Sequence, residues 1–289
     1  MINGKFCAKI VRVAFGTCAR GGKIQETETD DMNVYEYITT GENEKPLDRM
    51  VTDGGFCSIF RTIACIGDSL SSGEFESRKD GVKVYHDYYE YSWGQFLGRS
   101  AGAKVYNFSR GGMTAKEYID SFADANRLWS TDKLAQAYII ALGVNDLFGR
   151  KYEFGSIADI NRDDYTKNAK TFVGYYAQII QRIKELQPRA KIFLMSIPNK
   201  DDDRAEMRRV HRDLLAELTK IFDNTYLIDL YEYAPIADEE FERSFRLGHM
   251  TPMGYILIAR MVESYIDYII RKNPEDFNQV GFIGTNLYY

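Results

Sequence analysis

The sequence predicts an α/β protein in which a parallel sheet of about five strands lies between two layers of helices. Short apolar segments rich in Ile, Val, Ala and Phe alternate along the chain with longer segments of helical periodicity. The apolar segments are nearly continuous, which is typical of parallel strands buried on both faces. Right-handed crossovers then favour a doubly wound, flavodoxin-like three-layer sandwich with helices on both faces.

The regular alternation begins only after the first fifth of the 289-residue chain, which indicates three parts. We expect residues 1–56 to form an N-terminal extension, a small β appendage whose short strands at 9–15 and 33–40 pack on the main domain. Residues 57–275 form the main domain. Residues 276–289 form a C-terminal tail, expected to add one more strand or an arm.

The main domain is expected to alternate strands with helices along its whole length. The predicted strands span residues 59–66, 103–108, 135–142, 191–197 and 225–229. The predicted helices span residues 92–100, 115–126, 163–186, 204–222 and 252–271. A tyrosine-rich insertion at residues 74–91 separates the first strand from the first helix.

Composition excludes several functional classes. The chain has 37 basic and 42 acidic residues, a net charge of −5, and no basic stripe of the kind that binds nucleic acid. No apolar run reaches the roughly 18 to 20 residues that span a bilayer, and no signal peptide is evident. The four cysteines, Cys7, Cys18, Cys57 and Cys65, lack zinc-ligand spacing. We therefore expect a cytoplasmic protein that binds neither nucleic acid nor membrane.

Polar residues follow the first three predicted strands, at the point where each strand ends. Gly67-Asp68-Ser69 ends the first strand, a segment containing Gly111 and Gly112 follows the second, and Asn145 follows the third. Because the carboxyl ends of parallel strands share one edge of the sheet, these groups are expected to converge there. A serine becomes a nucleophile when a base takes its proton and hydrogen-bond donors hold the oxyanion. Backbone N–H groups and an Asn amide at this edge suit that second role.

The base has to come from three histidines. His211 lies among charged residues of a predicted helix and is expected on the surface, and His86 is expected to be a loop histidine in the insertion. His249 stands between the last predicted strand and the last predicted helix, in a loop that returns to the same edge of the sheet. His249 is therefore the candidate general base.

These segments together resemble the sequence blocks of the SGNH (GDSL) hydrolase superfamily, in the family's order, over residues 59–271. The resemblance implies a serine esterase mechanism with Ser69 as nucleophile and His249 as general base. It also implies an oxyanion hole formed by the backbone N–H groups of Ser69 and Gly112 and by the Asn145 side chain. Asp146 is expected to brace the turn. No cofactor is implied, and three scattered histidines offer no metal-ligand cluster.

The sequence departs from this family at the acid of the catalytic triad. That acid normally stands three residues before the histidine, where this chain has Arg246. An arginine cannot stabilise an imidazolium, and Glu242, four residues before Arg246, is expected to pair with it. We therefore predict that a backbone carbonyl just before His249 accepts a hydrogen bond from its Nδ1–H.

The expected substrate is a small-molecule ester with a short acyl group, preferably acetyl, and acetylated carbohydrate is one candidate. The aromatic residues of the insertion either form a wall on which a sugar stacks or pack the following helix against the sheet. Lipase, lysophospholipase and thioesterase activities of the same superfamily stay open, as does a catalytically weak binding protein with this fold. The strand-like N-terminus and tail leave a homo-oligomer open.

Overall fold

The computed structural model describes residue 38 and residues 41–281. The strands expected at residues 9–15 and 33–40 therefore fall outside the described part, apart from residue 38, as does the tail beyond residue 281. Between residue 41 and the first strand the backbone forms turns and the 3-10 helix Gly55–Ile59.

Five parallel strands form the central sheet, which confirms the predicted fold class. They are β1 (Thr62–Gly67), β4 (Lys104–Ser109), β5 (Ala137–Ala141), β6 (Lys191–Met195) and β7 (Thr225–Ile228). The spatial order is β4-β1-β5-β6-β7. This is the flavodoxin-like order, with the switch point between β1 and β5, where ligands bind beyond the carboxyl ends of the strands.

Helices cover both faces of the sheet. Alternate β1 residues point to opposite sides, so that Ile63 and Cys65 join one core cluster while Ala64 and Ile66 join the other. The α-helices are α1 (Ser69–Ser72), α2 (Trp93–Ala101), α3 (Ala115–Glu117), α4 (Ala123–Ala125), α5 (Phe172–Leu186), α6 (Ala205–Ile221), α7 (Leu230–Tyr233), α8 (Glu239–Phe245), α9 (Pro252–Lys272) and α10 (Pro274–Phe277). A π-helical turn joins α3 to α4. Helices α2 and α9 pack on the first cluster, and α5 and α6 on the second.

Most boundaries lie within two residues of the predicted ones, and three larger differences stand out. The first strand begins at Thr62 because the residues before it form the 3-10 helix. Helix α5 begins at Phe172 rather than at residue 163, because the Thr171 side chain accepts from Gly174 N and caps the helix there. Phe277, expected in a strand or an arm, instead ends the short helix α10.

The tyrosine-rich insertion folds into an antiparallel hairpin of β2 (Glu74–Lys79) and β3 (Val82–Asp87). Asp80 and Gly81 both have positive φ, as a two-residue type I′ turn requires. A second, shorter pair, β8 (Arg246–Leu247) and β9 (His249–Met250), lies before α9. None of the helices in the described part of the chain is long and apolar enough to cross a bilayer.

Candidate active site

Ser69 lies at the turn that leaves the carboxyl end of β1. It is the first residue of α1, and Asp68 caps that helix by accepting from Leu70 N at 3.1 Å. A Cβ at Gly67 would lie 2.2 Å from Ser71 Oγ, so only glycine fits where the strand turns. Ser69 itself is half-buried. The turn thus presents the Ser69 hydroxyl at the edge of the sheet.

The segment after β4 lies beside this turn and carries free backbone donors. Arg110 N donates to Gly67 O at 3.3 Å, which holds the two segments together. Within the described residues, the N–H groups of Ser69 and Gly112 donate to no other protein group. Gly112 has φ +72°, and a Cβ there would meet nothing within 4 Å, so its peptide borders open space. Two backbone N–H groups are therefore available to a ligand.

Asn145 connects these two segments. Its Nδ2 donates to Met113 O at 3.1 Å and lies 3.4 Å from Asp68 Oδ2. Asp146 is fully buried, and its Oδ1 accepts from Ala115 N at 2.8 Å. Burial raises the pKa of Asp146 to about 7. Asp146 therefore holds the start of α3 and faces the protein interior, whereas the Asn145 amide lies with the donors.

His249 is held by two carboxylates from the hairpin. Its Nδ1 lies 2.9 Å from Glu76 Oε1, and its Nε2 lies 3.0 Å from Glu74 Oε1. Residues two apart in a strand share a face, so β2 points both carboxylates at one imidazole. The ring of Tyr85, the cross-strand neighbour of Glu76, makes a T-shaped contact with His249, with ring centroids 5.9 Å apart.

The predicted backbone-carbonyl partner of His249 is therefore wrong. The carboxylate of Glu76 occupies the Nδ1 position, and the carbonyl before His249, Gly248 O, accepts from Arg246 Nη2 at 3.2 Å. The predicted Arg246–Glu242 pair is confirmed, with 3.0 Å between Nη1 and Oε1. The sequence signal for Glu76 was the Glu-x-Glu alternation that follows Ser69, but nothing local related it to a histidine 173 positions away.

Two glycines make room for these carboxylates. A Cβ at Gly111 would lie 2.1 Å from Glu74 Oε2, and a Cβ at Gly248 would lie 2.1 Å from Glu76 Oε1. The Glu74 carboxylate thus reaches from His249 to the glycine segment after β4. In addition, β9 packs against α1, the helix that begins with Ser69. These contacts place His249, the serine turn and the glycine segment around one gap.

The two glutamates differ in acidity. Lys83 Nζ donates to Glu76 Oε2 at 2.7 Å and lowers the pKa of that carboxyl, with a smaller contribution from His249. Desolvation raises the pKa of Glu74, opposed by His249 and reinforced by Asp87. Glu76 is therefore the firmly ionised partner, and Glu74 is the one that more readily carries a proton. When their surroundings shift the pKa values of two neighbouring carboxyl groups in opposite directions, the two groups can take different chemical roles.

The other two histidines lie away from this gap. The predicted surface position of His211 is wrong: its ring is fully buried, and burial lowers its pKa to about 4. The neutral ring donates from Nε2 to Leu142 O at 3.1 Å and packs against Gly143, under the turn that carries Asn145. His86, predicted to be a loop histidine, lies instead on β3, on the opposite face of the hairpin from Glu74 and Glu76, with its Nε2 2.8 Å from Ser77 Oγ.

A five-stranded flavodoxin-like sheet with a serine, free N–H donors, an asparagine and a histidine at its carboxyl edge defines the class of SGNH-type α/β folds. Residues 65–257 match the GDSL-like Lipase/Acylhydrolase family. The match covers more than half of the chain, and the protein belongs to this family.

Two solved structures illustrate the relationship. A family two carbohydrate esterase from Clostridium thermocellum, in complex with cellohexaose, aligns with TM-score 0.52 and 18% identity over 75% of this chain and 65% of its own. A protein from Lactobacillus plantarum aligns with TM-score 0.53 and 18% identity over 72% of this chain and 97% of its own. At such identities the likeness shows a shared fold. A search of curated proteins gave no match.

Proposed function

We propose that this protein is a serine esterase that hydrolyses short acyl esters, acetyl above all, through an acyl-enzyme intermediate. The observation that carries the proposal is the pair of unengaged N–H groups at Ser69 and Gly112 beside the Asn145 amide. The Glu74 carboxylate lies between the His249 imidazole and the same glycine segment. Donors and a base around one serine are what acyl transfer requires.

In this proposal, His249 Nε2 takes the hydroxyl proton as Ser69 Oγ attacks the ester carbonyl carbon. The carbonyl oxygen becomes an oxyanion, held by the Ser69 and Gly112 N–H groups and by the Asn145 Nδ2–H that exchanges its long 3.4 Å contact with Asp68 Oδ2 for the substrate. Collapse breaks the bond to the alcohol, which leaves with the proton from Nε2. A water molecule then repeats the sequence on the acyl-enzyme, releasing the carboxylic acid and restoring Ser69.

The polarity of the gap supports a short acyl group. Asp68, Glu74 and Asp87 place carboxyl groups around it, and burying a long alkyl chain against such groups is unfavourable. Beside His249, Tyr85 is about half exposed. Its ring suits an alcohol with a flat apolar face, such as a sugar, and one structural neighbour is a carbohydrate esterase.

The test compares Ser69→Ala with Ser71→Ala, a matched control two residues further along whose buried Oγ has no hydrogen-bond partner. Ser69→Ala is expected to abolish ester hydrolysis and labelling by a serine-directed phosphonate, while Ser71→Ala retains both. Equal labelling of wild type and Ser69→Ala would contradict the assignment. A panel of 4-nitrophenyl esters tests the acyl preference, and activity rising steadily from acetyl to decanoyl would favour a lipase.

A further inference from the structure

We infer that the β2–β3 hairpin supplies the acid of the catalytic site, with Glu76 as the residue that positions His249. This inference deepens the proposed esterase function and rests on it. The family position for this acid holds Arg246, which is turned toward Glu242 and Gly248 O. The hairpin brings Glu76 to the same imidazole from a different part of the chain.

Geometry and burial suit Glu76 to this role. Its Oε1 lies 2.9 Å from His249 Nδ1, within the range of a strong N–H···O bond. The side chain is only 12% exposed, and Lys83 donates to the other carboxylate oxygen, so the group stays ionised. Gly248, with φ +77°, leaves the space that the carboxylate fills. Glu76 is thus fixed from three sides.

The chemical consequence follows from the tautomer that Glu76 selects. A carboxylate at Nδ1 accepts a hydrogen bond from that N–H, so the lone pair that takes the Ser69 proton is on Nε2. Once Nε2 is protonated, the ring carries a positive charge beside the ionised Glu76. The proton on Nδ1 stays on the imidazole, and the carboxylate stabilises the imidazolium by its charge.

The test is Glu76→Gln, which keeps the shape and removes the charge, beside Glu76→Asp and the exposed control Glu90→Gln. We expect Glu76→Gln to lower kcat by roughly 10² to 10⁴ with KM changed no more than a few-fold. Glu76→Asp should recover part of that loss, since it restores a carboxylate. Glu90→Gln should match wild type. A Glu76→Gln variant with wild-type kcat would overturn the inference.

A readout apart from activity separates this inference from the esterase proposal. With only three histidines in the chain, NMR of ¹⁵N-labelled histidine resolves the Nδ1 proton of His249. A downfield Nδ1 proton that is lost in Glu76→Gln, in protein whose other signals are unchanged, supports the inference. Persistence of this signal in Glu76→Gln would overturn the inference about Glu76. The proposed esterase function is contradicted by a different result, an active Ser69→Ala variant.

A different contact, at the other nitrogen, carries a second inference. We propose that the Glu74 carboxylate occupies the place of the acyl group and is displaced when substrate binds. Its Oε1 lies on Nε2, the nitrogen that must face Ser69 and the leaving alcohol, and its Oε2 lies against Gly111. A carboxylate bridging the base and the glycine segment is placed as a carboxylic acid product would be.

This second inference predicts competition between Glu74 and a free carboxylate, with acetate as the probe. In Glu74→Ala, acetate should bind several-fold more tightly than in wild type, both as a competitive inhibitor and in NMR titration of the His249 signals. Glu74→Gln keeps an occupant without the charge, and it should stay close to wild type. Equal acetate affinity in wild type and Glu74→Ala overturns the inference. So does an equal gain in both variants, which would indicate charge repulsion alone.

Discussion

The two halves of the proposed active site are built in different ways. The oxyanion half comes from the ends of β1, β4 and β5, where buried Asp68 and Asp146 cap and brace the turns. The base half comes from a two-stranded hairpin in which residues such as Val82 and Tyr85 are more than half exposed. The geometry of the first half is set by the central sheet, whereas that of the second depends on how the β2 face that carries Glu74 and Glu76 packs against His249.

The difference predicts unequal tolerance to change. Asn145 bonds to both neighbouring segments of the oxyanion half, so a substitution there alters the geometry where charge develops. The base half includes a partly exposed ion pair, Lys83–Glu76, and exposed pairs contribute little because water screens them. Side chains that touch the reacting atoms should therefore matter in both halves, and their supports should matter less in the hairpin.

Apart from the changes at Ser69 and Glu76, the largest effect is expected in the oxyanion half. Asn145→Ala removes a donor to the developing oxyanion and should lower kcat by roughly 10² to 10³ with KM little changed. Steady-state kinetics on a 4-nitrophenyl acetate series measures this, and Asn126→Ala, an exposed asparagine at the end of α4, is the control. A normal kcat in Asn145→Ala would reduce Asn145 to a structural link between the two segments.

The base half should respond next to Gly248→Ala. The added Cβ would meet Glu76 Oε1 at 2.1 Å, so the carboxylate must move away from His249 and kcat should fall by tenfold or more. Gly102→Ala is the matched control, since its φ of +65° brings similar backbone strain while its Cβ would meet only Arg61 Nη1, at 3.8 Å. Both variants should lose stability, and only Gly248→Ala should lose activity. Equal activity in the two variants would show that the Glu76 carboxylate can move to make room for the added Cβ without a loss of kcat.

In the oxyanion half, the buried carboxyl of Asp146 is expected to make the free energy of unfolding depend on pH. Burial raises its folded-state pKa from 3.8 to about 7, so the folded protein holds this proton more tightly between those values. Stability should therefore fall as pH rises through that window, by at most about 4 kcal/mol from this group. Asp146→Asn keeps the acceptor for Ala115 N and should flatten the fall, as urea unfolding at pH 4 to 8 would measure. An unchanged pH profile would contradict the raised pKa.

The smallest effect is expected at the edge of the hairpin. Lys83→Ala removes the ammonium group that donates to Glu76 Oε2, but Glu76 keeps its bond to His249. Because Lys83 is half exposed, kcat should fall by no more than a few-fold. A loss as large as that of Glu76→Gln would mean that Lys83, rather than the fit around Gly248, fixes the carboxylate.

The sequence by itself determined the parallel sheet and the placement of Ser69, Gly112, Asn145 and His249 beside its carboxyl edge. These features depend on local periodicity and on the rule that parallel strands end together. The position of His211 could also have been predicted from local periodicity. It shares the helical spacing of Leu214, Leu215 and Leu218, which marks the buried face of α6, although its charged neighbours suggested the surface.

Only the tertiary structure decided what holds His249. Glu74 and Glu76 lie on a hairpin whose alternation defines one acidic face, but alternation does not say what that face meets. The answer depends on contacts between residues 173 positions apart, on the space left by Gly111 and Gly248, and on Arg246 turning to Glu242. Such contacts are set by the packing of whole elements against each other, and no local spacing encodes them.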